Sequence, residues 1–234
     1  MTLAIYLPCK DAYILICDRL ELHDDYAATA SDKILISSAR DFAVAGAGNS
    51  EVIEHVFSKI RQKSDTNGDN IEIRFEEILN DLVASGDPLM IGEDMQAHFI
   101  VLSCKTNGIR GFYGRITPKY SQIRPLSENT HFCIGVGEKL VEYLSQAINY
   151  QEIPLLEAIP RAIAMVQEVT TIYPVIGKLE RYGFDVIAFT RDRKVFVLRN
   201  FRKKIAEFNV VFKKVEGIDA KDFDITDLGA LGRA

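Results

Sequence analysis

The segment "LAIYLPCKDAYILICD" limits the fold more than any other stretch of this chain. Two apolar runs, residues 3–8 and 13–18, are joined by "CKDA" alone. A connection that short cannot carry a crossover, so the two runs must pair as an antiparallel hairpin. A second hairpin follows: "KILIS" and "FAVAG" are joined by "SARD". The polar stretch "ELHDDYAATASD" between the hairpins reads as a loop.

Two amphipathic helices come next. "SEVIEHVFSKIRQK" places Val52, Ile53, Val56, Phe57 and Ile60 on one face. Asn49 or Ser50 is the expected cap. "RFEEILNDLVAS" is the second helix, ended by "GDP". Strands resume with "HFIVLSC", "IRGFYGRI", "SQIRPL" and "THFCIGVG". "EKLVEYLSQAIN" and "PLLEAIPRAIAMVQEVTTI" predict a second helix pair, with Pro160 kinking the last helix or marking its start. "FDVIAFT" and "KVFVLRN" form a third hairpin, and "EFNVVF" a further strand before a polar tail. Strand blocks separated by helix pairs point to layered α+β packing rather than alternating β-α units. The order predicts two stacked antiparallel sheets with a helix pair on each outer face, as one domain.

The chain has 234 residues and a net charge of −5. Nucleic acid and anionic membranes both favour a basic face, so neither is expected as a partner. No apolar run reaches the roughly 18 residues of a membrane span, and no basic region precedes an apolar start. These features predict a cytoplasmic protein. Cys9, Cys17, Cys104 and Cys133 form no CxxC and read as reduced, half-buried thiols, so no metal site is expected. "DTNGDNIEIRFEE" spaces Asp65, Asn67 and Asp69 like a calcium loop. It has Asn70 where such loops need glycine and Glu72 where they need an apolar residue, and reads as a solvated turn. His98 and His131 begin strands and show no ligand spacing.

The order and spacing of these pieces resemble the proteasome β-type and HslV-like N-terminal-nucleophile (Ntn) hydrolases. "TLAIYLPCKDAYILICDR" is similar to the family's opening hairpin, and "SDKILI" to the strand carrying its active-site lysine. "FAVAGAGNSEVI" is similar to the strand, glycine turn and helix start that follow. "CIGVGEKLVEYL" is similar to the later GxG and its helix, and "FDVIAFTRD" to the closing hairpin. The resemblance implies a four-layer αββα sandwich over residues 1–201, with a C-terminal strand and polar tail over 202–234. It implies Thr2 as nucleophile, Lys33 beside it, Asp18 holding Lys33, and the Gly46 N–H as oxyanion donor. No cofactor is implied. Implied partners are a peptide or protein substrate and further copies of the chain, in a ring-forming homo-oligomer.

The chemistry suits those residue types. A threonine hydroxyl needs an adjacent base, and a free α-amine titrates near pH 7.7–8.0. A lysine nearby lowers that pKa by like-charge repulsion, and an aspartate offsets the cost of burying the lysine. The base is available only if Met1 is removed. Two departures set this chain apart. Val136 stands where the family's GxG usually carries serine, and "TTIYPVIGKLERYGFDV" lacks the family's Arg-Asp-x-x-Ser-Gly type segment. Three functions follow: a threonine-type peptidase or amidohydrolase working through an acyl-enzyme, a non-catalytic subunit or scaffold, and an acyl-transferring peptide ligase.

Overall fold

A computed structural model describes residues 2–22, 28–30, 32–86, 95–146, 148–173 and 183–201. These residues divide between two compact units. One comprises Met1–Ser31 and Asn129–Ala234, the other Asp32–Glu128.

The first unit is built on a five-stranded antiparallel sheet. Its strands are β1 (Leu3–Pro8), β2 (Ala12–Asp18), β10 (Phe132–Gly135), β11 (Phe184–Thr190) and β12 (Val195–Phe201), in the order β10-β1-β2-β11-β12. The expected opening hairpin is present. Its turn closes with the Cys9 N–H donating to the Ala12 carbonyl at 2.8 Å. The register puts Ala4 opposite Cys17 and Ile5 opposite Ile16. Helices α3 (Glu138–Gln146) and α4 (Leu155–Ile172) cover one face. There Leu3, Ile5, Leu7, Ile14 and Ile16 form a core with Val141, Leu144, Ile159, Ile163 and Val166. Tyr6, Leu15, Ile187 and Phe189, on the other face, are buried as well. Pro160 lies inside α4 rather than at its start. The helix begins at Leu155, whose N–H donates to the Asp11 carboxylate at 2.7 Å. An acid in the β1–β2 turn thus supplies the α4 cap, which Pro154 cannot provide from its side chain.

The second unit carries its own five-stranded antiparallel sheet. Its strands are β5 (Ile34–Ile36), β6 (Phe42–Gly48), β7 (Ala97–Lys105), β8 (Gly108–Ile116) and β9 (Ser121–Pro125), in chain order. Helices α1 (Ser50–Gln62) and α2 (Ile71–Ala84) pack on it. The Asn49 side chain caps α1 by accepting from the Glu51 and Val52 N–H groups. Phe75 of α2 meets Phe99 and Phe112 of the sheet edge to face, an arrangement worth more than its buried area alone.

The α+β class and the two antiparallel sheets agree with the sequence reading. The polar stretch after Asp18 does not. It contains a two-stranded ladder, β3 (Leu20–Leu22) with β4 (Ala28–Ala30). The C-terminal strand and tail expected over 202–234 lie outside the described residues.

Candidate active site

Thr2 immediately precedes β1 and is only 5% exposed. Two contacts hold it there. Its carbonyl accepts the Val136 N–H at 3.0 Å. The peptide that follows donates its N–H, from Leu3, to Asp18 Oδ1 at 2.7 Å. Asp18, 2% exposed, ends β2, and its Oδ2 accepts the Leu20 N–H at 3.1 Å. The four-residue turn of the hairpin produces this arrangement. With Ala4 opposite Cys17, Leu3 falls opposite Asp18.

The later GxG holds the other side of Thr2. Gly135 has φ +96°, and a Cβ there would lie 1.8 Å from the Thr2 carbonyl oxygen. Only glycine fits this backbone and this approach. Val136 therefore meets Thr2 through its main chain, and the missing serine hydroxyl leaves that contact in place.

A second buried acid supports the same end of the sheet. Asp185 of β11 is 1% exposed. It accepts both Arg19 contacts at 3.1 Å, Arg199 at 2.7 Å and the Asn200 N–H at 2.8 Å. The adjacent residues Asp18 and Arg19 thus reach different partners, one of them 166 residues along the chain. Sequence reasoning missed Asp185. The available signal was a single acid inside the otherwise apolar "FDVIAF".

Lys33 and Gly46 belong to the other unit. Lys33 precedes β5 and is 8% exposed, unusual for lysine. Its carbonyl accepts the Gly46 N–H at 3.1 Å. The Gly46 N–H, which the resemblance gives as an oxyanion donor, is donated in strand pairing here. The glycine is needed for space: a Cβ would lie 2.7 Å from Ile53 of α1.

Cys9 and Cys133 are poor competitors as nucleophiles. Cys9 is pushed up to about 11 by burial and then by the Asp11 charge, and burial raises Cys133 further still. Burial, then the Arg115 charge, lowers His98, whose Nδ1 lies 2.7 Å from the Tyr113 hydroxyl. Among the described residues no group of three His, Cys, Asp or Glu could hold a metal. The calcium-like acids have protein partners: Asp65 pairs with Arg74, and Asp69 accepts from the Thr106 N–H and hydroxyl. A cavity of about 670 Å³ opens beside His131, Glu138, Glu142 and Pro8, and neither Thr2 nor Asp18 lines it. The segment expected to lack the family's acid and serine falls largely at 174–182, outside the described residues.

The two sheets with their helix pairs define a proteasome-like, ancestral beta-subunit fold, which solved structures share. One is Anbu, the ancestral beta-subunit, from Yersinia bercovieri, with a TM-score of 0.68 at 14% identity over 91% of this chain and 92% of that one. A Gly-1 mutant of Anbu from Hyphomicrobium sp. strain MC1 matches with a TM-score of 0.68 at 16% identity, over 94% and 100% of the two chains. The helical assembly of the Anbu complex from Pseudomonas aeruginosa matches with a TM-score of 0.66 at 13% identity, over 96% and 95%. No protein-family model matches this chain, and no curated protein does. The resemblance to proteasome β-type and HslV-like hydrolases is corrected accordingly. The matching structures are ancestral beta-subunits, related to the proteasome but distinct from that group. Among the described residues no helix is long and apolar enough to cross a membrane.

Proposed function

We propose that this protein is a threonine-nucleophile amidohydrolase acting on peptide or protein amides through an ester on Thr2 Oγ. The observation that carries the reading is the double hold on Thr2: Asp18 Oδ1 fixes the peptide after it, and the Val136 N–H fixes its carbonyl. That is the preorganisation a weak hydroxyl nucleophile requires.

In this reading Met1 is removed and the Thr2 α-amine takes the hydroxyl proton, directly or through a water. The oxygen attacks the substrate carbonyl, the amine leaving group departs with a proton, and water hydrolyses the ester. The Lys33 ammonium keeps the α-amine neutral by like-charge repulsion and favours developing alkoxide charge. Asp18 offsets the Lys33 charge. Copies of the chain assemble with one another, in line with the Pseudomonas relative solved as a helical assembly. Sedimentation at micromolar concentration tests that part, and a monomer would contradict it.

The test of the chemistry is labelling by an electrophile that traps hydroxyl nucleophiles. Lys33→Ala should slow labelling by about 100-fold or more, within the range that electrostatic groups contribute, while the circular dichroism spectrum stays unchanged. Equal rates would remove Lys33 from the mechanism.

Val136 favours a second reading, a non-catalytic subunit or scaffold, because it brings no hydroxyl to Thr2. In that case Thr2 takes up no electrophile even when it is the first residue.

A further inference from the structure

We propose that the cavity of about 670 Å³ beside α3 binds an organic monocation that also carries a hydrogen-bond acceptor, the pairing of ammonium and amide carbonyl found in a peptide amine. This is a second site and does not rest on the nucleophile reading. Pro8 in its wall ends β1, whereas Thr2 precedes the same strand. The length of β1, about 20 Å, lies between them.

The wall carries acids and no strong base. Glu138 and Glu142 line it, four residues apart on α3, and no lysine or arginine does. Residues at that spacing share a helix face, where two like charges repel each other. Among the described residues neither carboxylate has an ion-pair or hydrogen-bond partner. His131, also in the wall, is held below the ordinary histidine range by burial, against the opposing pull of Glu142. Among the described residues no three such side chains are gathered closely enough to hold a metal ion. The charge that suits the two carboxylates is therefore carried on a larger, organic cation.

Glu138 and Glu142 are exposed, and water screens them, so by themselves they specify no ligand. Tyr150 supplies the second requirement. It lines the same cavity and is only 5% exposed, and among the described residues its hydroxyl has no hydrogen-bond partner. A buried hydroxyl left unpaired is costly. The Ser145 hydroxyl, in the same wall, is already donated to the Val141 carbonyl at 2.6 Å. The Arg161 charge acts on Tyr150 and would repel a second cation there. The Tyr150 O–H therefore donates to a neutral acceptor of the ligand. Pro8, Phe132 and Ile148 offer apolar surface to the hydrocarbon between the two groups. The volume falls within the roughly 300–1,000 Å³ of small-molecule pockets.

The experiment titrates the full chain by calorimetry and by ligand-observed NMR with four probes. Leucinamide has its ammonium beside the amide, as a peptide N-terminus does. Acetyl-lysinamide has it on the side chain, as an internal lysine does. Isoamylamine keeps the cation without the carbonyl, and acetyl-leucinamide keeps the carbonyl without the cation. At least one of the first two should bind, and which one identifies the source of the amine. Both controls should bind about fivefold or more weakly than it. The double variant Glu138→Gln, Glu142→Gln should weaken both amine classes by about fivefold or more. Tyr150→Phe should weaken the carbonyl-bearing amine by about fivefold and leave isoamylamine unchanged. Without ligand, Tyr150→Phe should not melt lower than the wild type, because no protein partner is lost.

Failure of both amides to bind by either method would overturn the proposal. Equal affinity for the uncharged control would do so too, and so would affinity that survives either set of substitutions. A Tyr150→Phe chain that melts lower without ligand would show that the hydroxyl is already engaged within the protein, which also contradicts it.

Discussion

Asp18 Oδ1 accepts the Leu3 N–H at 2.7 Å while Oδ2 accepts the Leu20 N–H at 3.1 Å. One buried carboxylate therefore fixes the peptide after Thr2 and the chain leaving β2. Asp18→Ala strands two buried N–H groups, each costing about 1–3 kcal/mol. Urea unfolding should show a loss of about 2–5 kcal/mol, and a smaller loss for Asp18→Asn, which keeps one acceptor. Equal stability of all three chains would show that the carboxylate anchors nothing.

Gly135 and Gly108 both have positive φ, +96° and +131°, but only Gly135 faces a neighbour that a Cβ would strike. Gly108→Ala should cost about 1–2 kcal/mol from backbone strain alone. Gly135→Ala adds the clash with the Thr2 carbonyl and should cost more and slow Thr2 labelling. Melting curves with similar shifts for the two variants would contradict the close approach.

Asp185 is the shared acceptor of Arg19 and Arg199. Removing one partner of a buried ion pair commonly costs about 3–5 kcal/mol, because the remaining charges stay uncompensated. Asp185→Ala should reach that range, against about 1 kcal/mol for Asp11→Ala, which loses the α4 cap and a long contact from the Cys9 thiol. A reversed order in urea midpoints would overturn this assignment.

Cys9 binds its proton more tightly folded than unfolded, about 11 against an ordinary 9.0. Its contribution to stability is therefore complete below pH 9 and lost as pH rises toward 11. Cys9→Ser should flatten the stability profile over that window. Iodoacetamide at pH 7 should leave Cys9 unmodified until the chain is unfolded.

The hairpin was legible because "CKDA" is too short for a crossover, but the bond from the Leu3 N–H to Asp18 was not, since the resemblance assigned Asp18 to Lys33. Asp185 was not legible, since its partner Arg19 lies 166 residues away and only the sheet order brings them together. Gly46 was legible as a tight position, but the direction of its N–H depends on the register of β5 against β6, which "SARD" does not specify. The β3–β4 ladder escaped notice because it is three residues long and set in a polar run. The family assignment went astray because motif order follows the fold, and the solved structures that share this fold are only 13–16% identical to this chain.

The central claim is that Thr2 is a nucleophile, and intact mass with peptide mapping after electrophile treatment tests it most directly. The sample must first be shown by mass to begin at Thr2. A single adduct on Thr2, absent from Thr2→Ala and partly retained by Thr2→Ser, is the predicted result. An unmodified wild-type chain across several electrophile classes, or an adduct that persists in Thr2→Ala, would contradict it.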